Sequence, residues 1–571
     1  MALSTVSRRA FVAGAATAAA GAALSGTAAF AEEAAAEQAG ANPAWLGDEP
    51  AVSDDDCSET VDTEVLVIGA GCSGYFAAVT AAEEGAKTIL IDCSETGFGI
   101  RSSALGAVGS ELQKQTGVEI TRNDIVNDIV RYANGKCDAR LWNNWADESG
   151  EAIDWYCHHV VDNNVAKVVL EWNMPTPQTR YAMWPTGHGT SAIGDGSAES
   201  DVQAYFIDYL NSFDGCEFRP YNKLVKLVVE NGAVVGAYVA TGENADAYAR
   251  INASKGVVVA TGGYVLNEDM MRALQPDTVA VSSGVFTMSQ ARGDGIKACL
   301  WAGAQMEDTH CSLIFDRGNI APDVEVGDPW STGGMFYGFS SQPWLKVNVD
   351  GQRFMNESAP YDYVAHAASK FRDHAWYPVW DDDFADDVVR FHTIGCSTQI
   401  TRPGGDGSGK IPEGQTLAET YESSKQSVID GVNSRIDMGL VVKADTLEEL
   451  AEQLGIDAEN FVATCERYNE LYDAGNDKDF GKEPFRMSAM KKAPFYGMKM
   501  GGLLLCTYDG ICVTPDCQAI STDGEPIEGL YVTGCDSGNC YNVTYPNFSA
   551  GLNAGRSATA GRHVGKLLAA K

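Results

Sequence analysis

An α/β fold is what the sequence predicts, on three observations. Residues 61–68 (VDTEVLVI) form an apolar, β-branched run, and Gly69-Ala70-Gly71-Cys72-Ser73-Gly74 follows at once. A helical pattern, YFAAVTAAEEG, comes next, and a second apolar run over 87–91 ends at Asp92. Two more buried runs, 256–263 (GVVVATGG) and 529–534 (GLYVTG), each stop at a glycine turn. The second precedes a glycine-rich tail and a helical pattern over 555–568.

Each part of the first unit has a physical reason. A G-x-G-x-x-G by itself says little. Placed between strand and helix, with an acid 18 residues past its last glycine, it marks a Rossmann-like βαβ unit. The glycines let the backbone come close to a pyrophosphate, and the free N–H groups at the helix N-terminus favour its negative charge. Gly69, Ala70, Gly71, Ser73 and Gly74 are therefore the candidate pyrophosphate cradle. Asp92 is placed to accept hydrogen bonds from an adenosine ribose.

The chain has 571 residues, too many for one ordinary domain, with 45% hydrophobic residues and 60 glycines. Against 41 Lys and Arg stand 78 Asp and Glu, a net charge of −37. That excess argues against nucleic acid or an anionic membrane surface as a partner. Residues 1–31 carry Arg8-Arg9, then Phe11, an Ala/Gly-rich run and Ala29-Phe30-Ala31. They resemble a twin-arginine export signal, a route for proteins already folded around a cofactor, and so place the protein outside the cytoplasmic membrane, periplasmic or extracytoplasmic. Residues 32–61 read as a disordered leader. No later apolar run reaches about 18 residues, so an integral membrane protein is not expected.

Fifteen cysteines are spread along the chain with no C-x-x-C. Cys506, Cys512, Cys517, Cys535 and Cys540 are the densest group. They are either buried free thiols, the expected reading, or ligands of an iron–sulfur cluster, whose common spacings they do not match. The histidines show no metal-ligand spacing, and no metal site is expected.

Further blocks point to a family: Arg292-Gly293-Asp294-Gly295, residues 351–357 (GQRFMNE), Arg467-Tyr468-Asn469 leading to Asp479-Phe480-Gly481, Pro494-Phe495-Tyr496 and Gly501-Gly502. With the glycine turns, they resemble, in order, the flavoprotein subunit of fumarate reductase and succinate dehydrogenase. The resemblance implies FAD, bound in a Rossmann-like (GR2-type) domain interrupted by an α+β capping domain. The flavin domain would comprise 62–275 and 491–571, the cap 276–490 with a helix-patterned stretch over 446–474. No histidine lies in 97–109, where covalent relatives attach the flavin, so the cofactor is expected to be non-covalent. Further cofactor contacts implied are Cys93, Ser102, Ser103, Val225, Gly262, Asp294 against the flavin, Cys535 by the ribityl chain, Gly551 and Leu552.

Reduction of a C=C bond needs a hydride on one carbon, a proton on the other, and a carbonyl held by donors. The dicarboxylate-reducing relatives use arginines and histidines, which suit paired carboxylates. Here Met498 stands for the family histidine, Ala385 falls near the proton-donating arginine, and Tyr545-Pro546-Asn547-Phe548 replaces the clamping arginine. Fumarate and succinate are therefore disfavoured. Residues 353–362 (RFMNESAPYD) instead resemble 3-ketosteroid Δ1-dehydrogenases, where the tyrosine of Pro-Tyr-Asp exchanges the proton. That resemblance makes Tyr361 the general acid and Tyr545 the group that binds the substrate carbonyl. Arg353 and Glu357 are expected to pair structurally, and Trp184, Tyr181 and Trp344 are candidates for an apolar pocket wall.

The leading expectation is an exported FAD-dependent reductase of an activated C=C bond in a small unsaturated molecule. NADH is not available outside the cytoplasm, so electrons would come from a separate redox donor, a cytochrome or an FMN carrier, docking on the acidic surface. Two alternatives stay open: a 3-oxosteroid-type dehydrogenase running oxidatively, and a flavin electron-transfer protein with no substrate of its own.

Overall fold

The strand Cys57–Ile68 is fully buried over Val65–Ile68 because neighbours cover it on both edges and both faces. It pairs in parallel with Thr88–Ile91 (Ile68 opposite Ile91) and with Ala247–Val259 (Ile68 opposite Val259). Pro526–Val532 adds in parallel to the latter, Val532 opposite Val259. Glu217–Arg219 extends the other edge, and the hairpin of Asn222–Glu230 and Ala233–Thr241 branches from Ala247–Val259. The predicted runs are thus adjacent strands whose C-terminal ends meet at Gly69, Ala260 and Thr533. Ligands of open α/β sheets bind outside such ends.

In this computed structural model the described residues are 42–97, 104–170, 181, 183–194, 197–287, 290–391 and 417–571. The described residues from 49 onward form one compact unit. The export signal, residues 32–41 of the expected leader, and Ser102 and Ser103 lie outside the described residues. Part of the stretch expected to be a leader is ordered. Asp54 accepts from Arg250 at 2.9 Å and from Tyr238 at 2.9 Å, and the strand begins at Cys57, opposite Tyr248.

Two helices lie against the strands with little between them. Cys72–Glu83 packs along the final helix, Leu552–Ala569, because a Cβ on Gly561 would sit 2.2 Å from the Ser73 carbonyl oxygen. Val65, Val67, Phe76, Leu90, Val564 and Leu568 form the core there.

Residues 282–507 supply two further sheets. One orders Ser282–Val285, Lys499–Thr507, Ser312–Ile320 and Met335–Phe336; the other orders Leu345–Val347, Tyr377–Trp380, Phe495–Gly497 and Val442–Ala444. The stretch expected to be helical over 446–474 is two helices, Leu447–Leu454 and Ala458–Asp473. Gly455 ends the first at φ +72, and Asp457 caps the second through Asn460 N–H. A three-stranded sheet of Leu105–Gly106, Gly187–Ala192 and Ala166–Leu170 completes the set. Among the described residues no helix is long and apolar enough to cross a membrane.

Candidate active site

The strand ends open on one crevice. Gly69 takes φ +106, and a Cβ there would sit 2.3 Å from the Ala260 carbonyl oxygen. A Cβ on Gly74 would meet the Gly69 oxygen at 1.8 Å, so turn and helix approach only because both positions are glycine. Gly71, which caps the helix, differs: a Cβ there meets nothing within 4 Å. Open space at a helix N-terminus, floored by Ala70 and Ser73, is what an anionic group needs.

Asp92 ends the next strand. It accepts from the Ala70 N–H at 2.8 Å and from the Ser94 N–H and hydroxyl at 2.9 and 2.7 Å, tying turn to loop. With Cys93, Lys223, Gly262 and Asp294 it lines a cleft of about 610 Å³, part of it open to solvent. Lys223 Nζ stands 3.2 Å from Asp294. Val225 is the extra residue of a β-bulge, between Leu224 opposite Val239 and Lys226 opposite Tyr238. Gly262 takes φ +94 and donates to the buried Asp536 at 3.2 Å. Gly551, at φ +68, accepts from the Gly106 N–H at 2.8 Å, and buried Leu552 begins the last helix.

Tyr361 opens the helix Tyr361–Ala368 directly after Pro360. Its ring meets Phe315 edge-on with centroids 5.5 Å apart, and the buried Arg317 guanidinium lies 5.3 Å from its centroid. Asp362, the next residue, is 1% exposed. It accepts from the Tyr132 hydroxyl at 3.0 Å, from the Asn547 amide at 2.7 Å and from the Thr544 hydroxyl. Thr544 and Asn547 bracket Tyr545-Pro546. One buried carboxylate therefore holds both the helix that begins at Tyr361 and the loop that carries Tyr545. Burial pushes the Asp362 carboxyl up to about 7, against the pull of the Thr544 and Tyr132 hydroxyls.

Tyr545 packs with Tyr508 and Tyr541, centroids 5.0 and 5.8 Å away, and its hydroxyl oxygen accepts from the Asn553 N–H at 3.2 Å. Asn553, second in the last helix, is a junction. Its side-chain amide donates to Cys535 Sγ at 3.3 Å, and its Oδ1 accepts from Tyr541 at 3.3 Å and Arg556 at 3.0 Å.

Other expectations resolve away from the crevice strands. Arg353 and Glu357 do pair, through two bonds of 2.8 Å, and Arg353 also bonds Asp477 at 3.1 and 2.8 Å. Lys482 Nζ stands 3.2 Å from Glu357, so these groups form one buried ionic network. Trp344 is not a pocket wall: it is fully buried against Phe339, Trp380 and Phe391 at 5.0, 5.8 and 5.0 Å. Trp184 donates to Asp128 at 3.0 Å, and Tyr181 lies 6.5 Å from the Tyr363 ring. Among the described residues no three or more His, Cys, Asp or Glu are grouped to hold a metal ion.

The family described as FAD binding domain matches residues 64–552. The chain belongs to that family. A vinyl phenol reductase of Lactiplantibacillus plantarum is 26% identical over 517 residues, covering 88% of this chain and 97% of that protein. A 3-oxosteroid 1-dehydrogenase of Mycolicibacterium smegmatis is 30% identical over 343 residues, 57% of this chain and 54% of the relative. Among solved structures, the open conformation of a flavocytochrome c3 fumarate reductase superposes with a TM-score of 0.61 at 22% identity, covering 93% and 82% of the two chains. The fold is shared at that distance.

In this FAD-binding oxidoreductase the glycine turn leaves open space where a cofactor would fit. Gly71 keeps clear the space a Cβ would fill, Leu224 and the Asp92 loop wall the cleft, and Gly534 packs on Ser73, a Cβ there falling 3.4 Å from the Ser73 Cβ. Four residues were not legible as functional. Asp362 sits in the Pro-Tyr-Asp element, but its partners are 182 and 185 positions away. Asn553 and Arg556 look like ordinary helix residues, and Arg317 like a strand cation.

Proposed function

We propose that this chain is an exported FAD-dependent reductase of an activated C=C bond in an enone, enoate or related unsaturated molecule. Gly69, Gly71 and Gly74 at the strand ends would hold FAD non-covalently, and the reduced cofactor would supply the hydride. Tyr361 gives the proton to the other carbon, and the Arg317 cation over its ring favours the charge left on its oxygen. The Tyr545 hydroxyl holds the substrate carbonyl, polarising the alkene. The carrying observation is Asp362, which anchors both tyrosine-bearing segments and so makes their positions one problem rather than two. The vinyl phenol reductase, alike over nearly its whole length, supports an uncharged aromatic substrate better than a dicarboxylate. Met498 is fully buried and offers no cation where a dicarboxylate would need one.

Electrons come from a separate donor, a cytochrome or FMN carrier with a basic face suited to the −37 charge of the chain. An assay with a dye donor and a panel of enones, cinnamate-like acids, vinyl phenols and steroids tests the reading. Tyr361→Phe is expected to retain FAD and lose turnover; full activity in that variant sinks the acid assignment. Rapid flavin reduction by NADH alone would count against the separate donor. A second reading, oxidation of a 3-oxosteroid-like ketone, is favoured by the Pro-Tyr-Asp element and the M. smegmatis relative. Steroid-dependent dye reduction, with no alkene reduced, would select it.

A further inference from the structure

Phe286 directly follows the strand Ser282–Val285 and is 45% exposed, although that strand is largely buried. An exposed phenylalanine by itself needs no explanation. This one is fixed by its neighbours. Its N–H donates to the Leu504 carbonyl at 2.7 Å, and its ring stacks on Phe336, with centroids 4.9 Å apart and planes 25° apart. One face of the ring is thus covered, and much of the rest is left to solvent.

Its place in the fold sets it apart. Ser282–Val285 runs parallel to Lys499–Thr507, so the two strands end on the same side. Beyond Leu504 the second strand reaches Thr507, which abuts the crevice: a Cβ on Gly263 would fall 2.3 Å from Thr507 Oγ1. After Phe286 the chain runs on to Gln290, Arg292 and Asp294, which line the cofactor cleft. In the other direction Phe336 meets Phe315 edge-on at 6.3 Å, and Phe315 meets Tyr361 at 5.5 Å. The buried Arg317 guanidinium lies 4.9, 5.5 and 5.3 Å from the Phe315, Phe336 and Tyr361 centroids, so one cation holds all three rings. Phe286 therefore stands where the edge of the cofactor cleft meets a continuous run of rings that leads to Tyr361.

Within the reductase reading above, on which this rests, the geometry points to Phe286 as a specificity-determining residue: its open face is the platform on which an aromatic part of the substrate stacks. The alkene is then held toward Tyr361. Phenylalanine offers neither charge nor hydrogen bond, so the platform selects by shape and π-face and leaves the carbonyl to Tyr545. Offset stacking favours an aryl group over a saturated ring of similar size by about two- to tenfold. The stack beneath Phe286 holds the platform in place, so little ordering is needed on binding. The substrate class narrows accordingly, to an alkene that carries an aryl group rather than a short aliphatic enoate.

Calorimetric titration of the oxidised holoprotein tests this without turnover. The probes are benzylacetone and its ring-saturated cyclohexyl analogue, two ketones that have no alkene to reduce. The wild type is expected to bind benzylacetone about fivefold more tightly. Phe286→Leu keeps an apolar side chain without a π-face and is expected to bring the two affinities within about twofold, whereas Phe286→Trp keeps the preference. Equal affinities in the wild type, binding of neither ketone, or a preference unchanged in Phe286→Leu overturns the proposal. Loss of FAD from Phe286→Leu before any ketone is added would assign the ring to the cofactor and overturn it as well. The wild-type comparison decides the matter even where a variant fails to fold. A protein with the preference that reduces no alkene from the dye donor keeps the platform and loses the reductase reading. Alkene reduction without the preference does the reverse.

Discussion

Asp362→Asn removes a titration that the fold makes expensive. A carboxyl in an unfolded chain ionises near pH ~4, whereas burial holds Asp362 in the folded protein up to about 7. Between those values the folded state keeps a proton that the unfolded state has released. Stability from this group is therefore full below the lower value and is lost as pH rises through the upper one. From pH 5 to pH 8 the loss runs over about two units, at about 1.4 kcal/mol each, or about 3 kcal/mol. Asparagine has no such titration. It still offers an oxygen to the Tyr132 and Thr544 hydroxyls, but its amide group faces that of Asn547, so a pH-independent cost of about 1–3 kcal/mol is added. Urea unfolding of both proteins with FAD at pH 5, 6, 7 and 8 measures the difference. The variant should gain on the wild type by about 3 kcal/mol across that span. Parallel stability curves would refute the claim that Asp362 holds its proton in the buried site.

Gly71→Ala and Gly74→Ala separate cofactor space from packing space. The first should cost less than about 1 kcal/mol of stability yet cut FAD retention at least about tenfold, about 1.4 kcal/mol. The second, whose Cβ would meet the Gly69 oxygen at 1.8 Å, should lower the melting temperature of the protein itself. Equal FAD-to-protein absorbance ratios would contradict this. Arg353→Ala takes from Asp477 its cation and leaves Glu357 with Lys482 alone, and should cost about 3–5 kcal/mol in denaturant unfolding. Although burial opposes it, the Arg353 and Lys482 hydrogen bonds hold the Asp477 carboxyl down to about 2. Its contribution is present above the ordinary carboxyl range and fades as pH falls through about 2, so Asp477→Asn should flatten that part of an acid-unfolding curve.

What could be read from residue order was what neighbours in the chain decide. The strand, the three glycines, the helix and Asp92 lie within residues 57–92, and their conformational demands are local: φ +106 at Gly69, close approach at Gly74, space at Gly71. The same holds for the runs that end at Gly262 and Gly534, which the sheet brings beside the first. Boundaries were less legible. Asp54 belongs to the fold through Arg250 and Tyr238, and one helical pattern over 446–474 was two helices because Gly455 turns left-handed between them.

The sequence alone determined the class of fold and the FAD-binding family, and marked a candidate cradle and two candidate tyrosines, since each is written in a short contiguous block. Only the tertiary structure decided what those tyrosines answer to. Asp362 meets Thr544 across 182 positions, and Asn553 gathers Tyr545, Tyr541, Cys535 and Arg556 at one helix end. Chain order carries no record of such meetings. They follow from how the whole core closes, and burial then sets the proton and charge of each group it encloses.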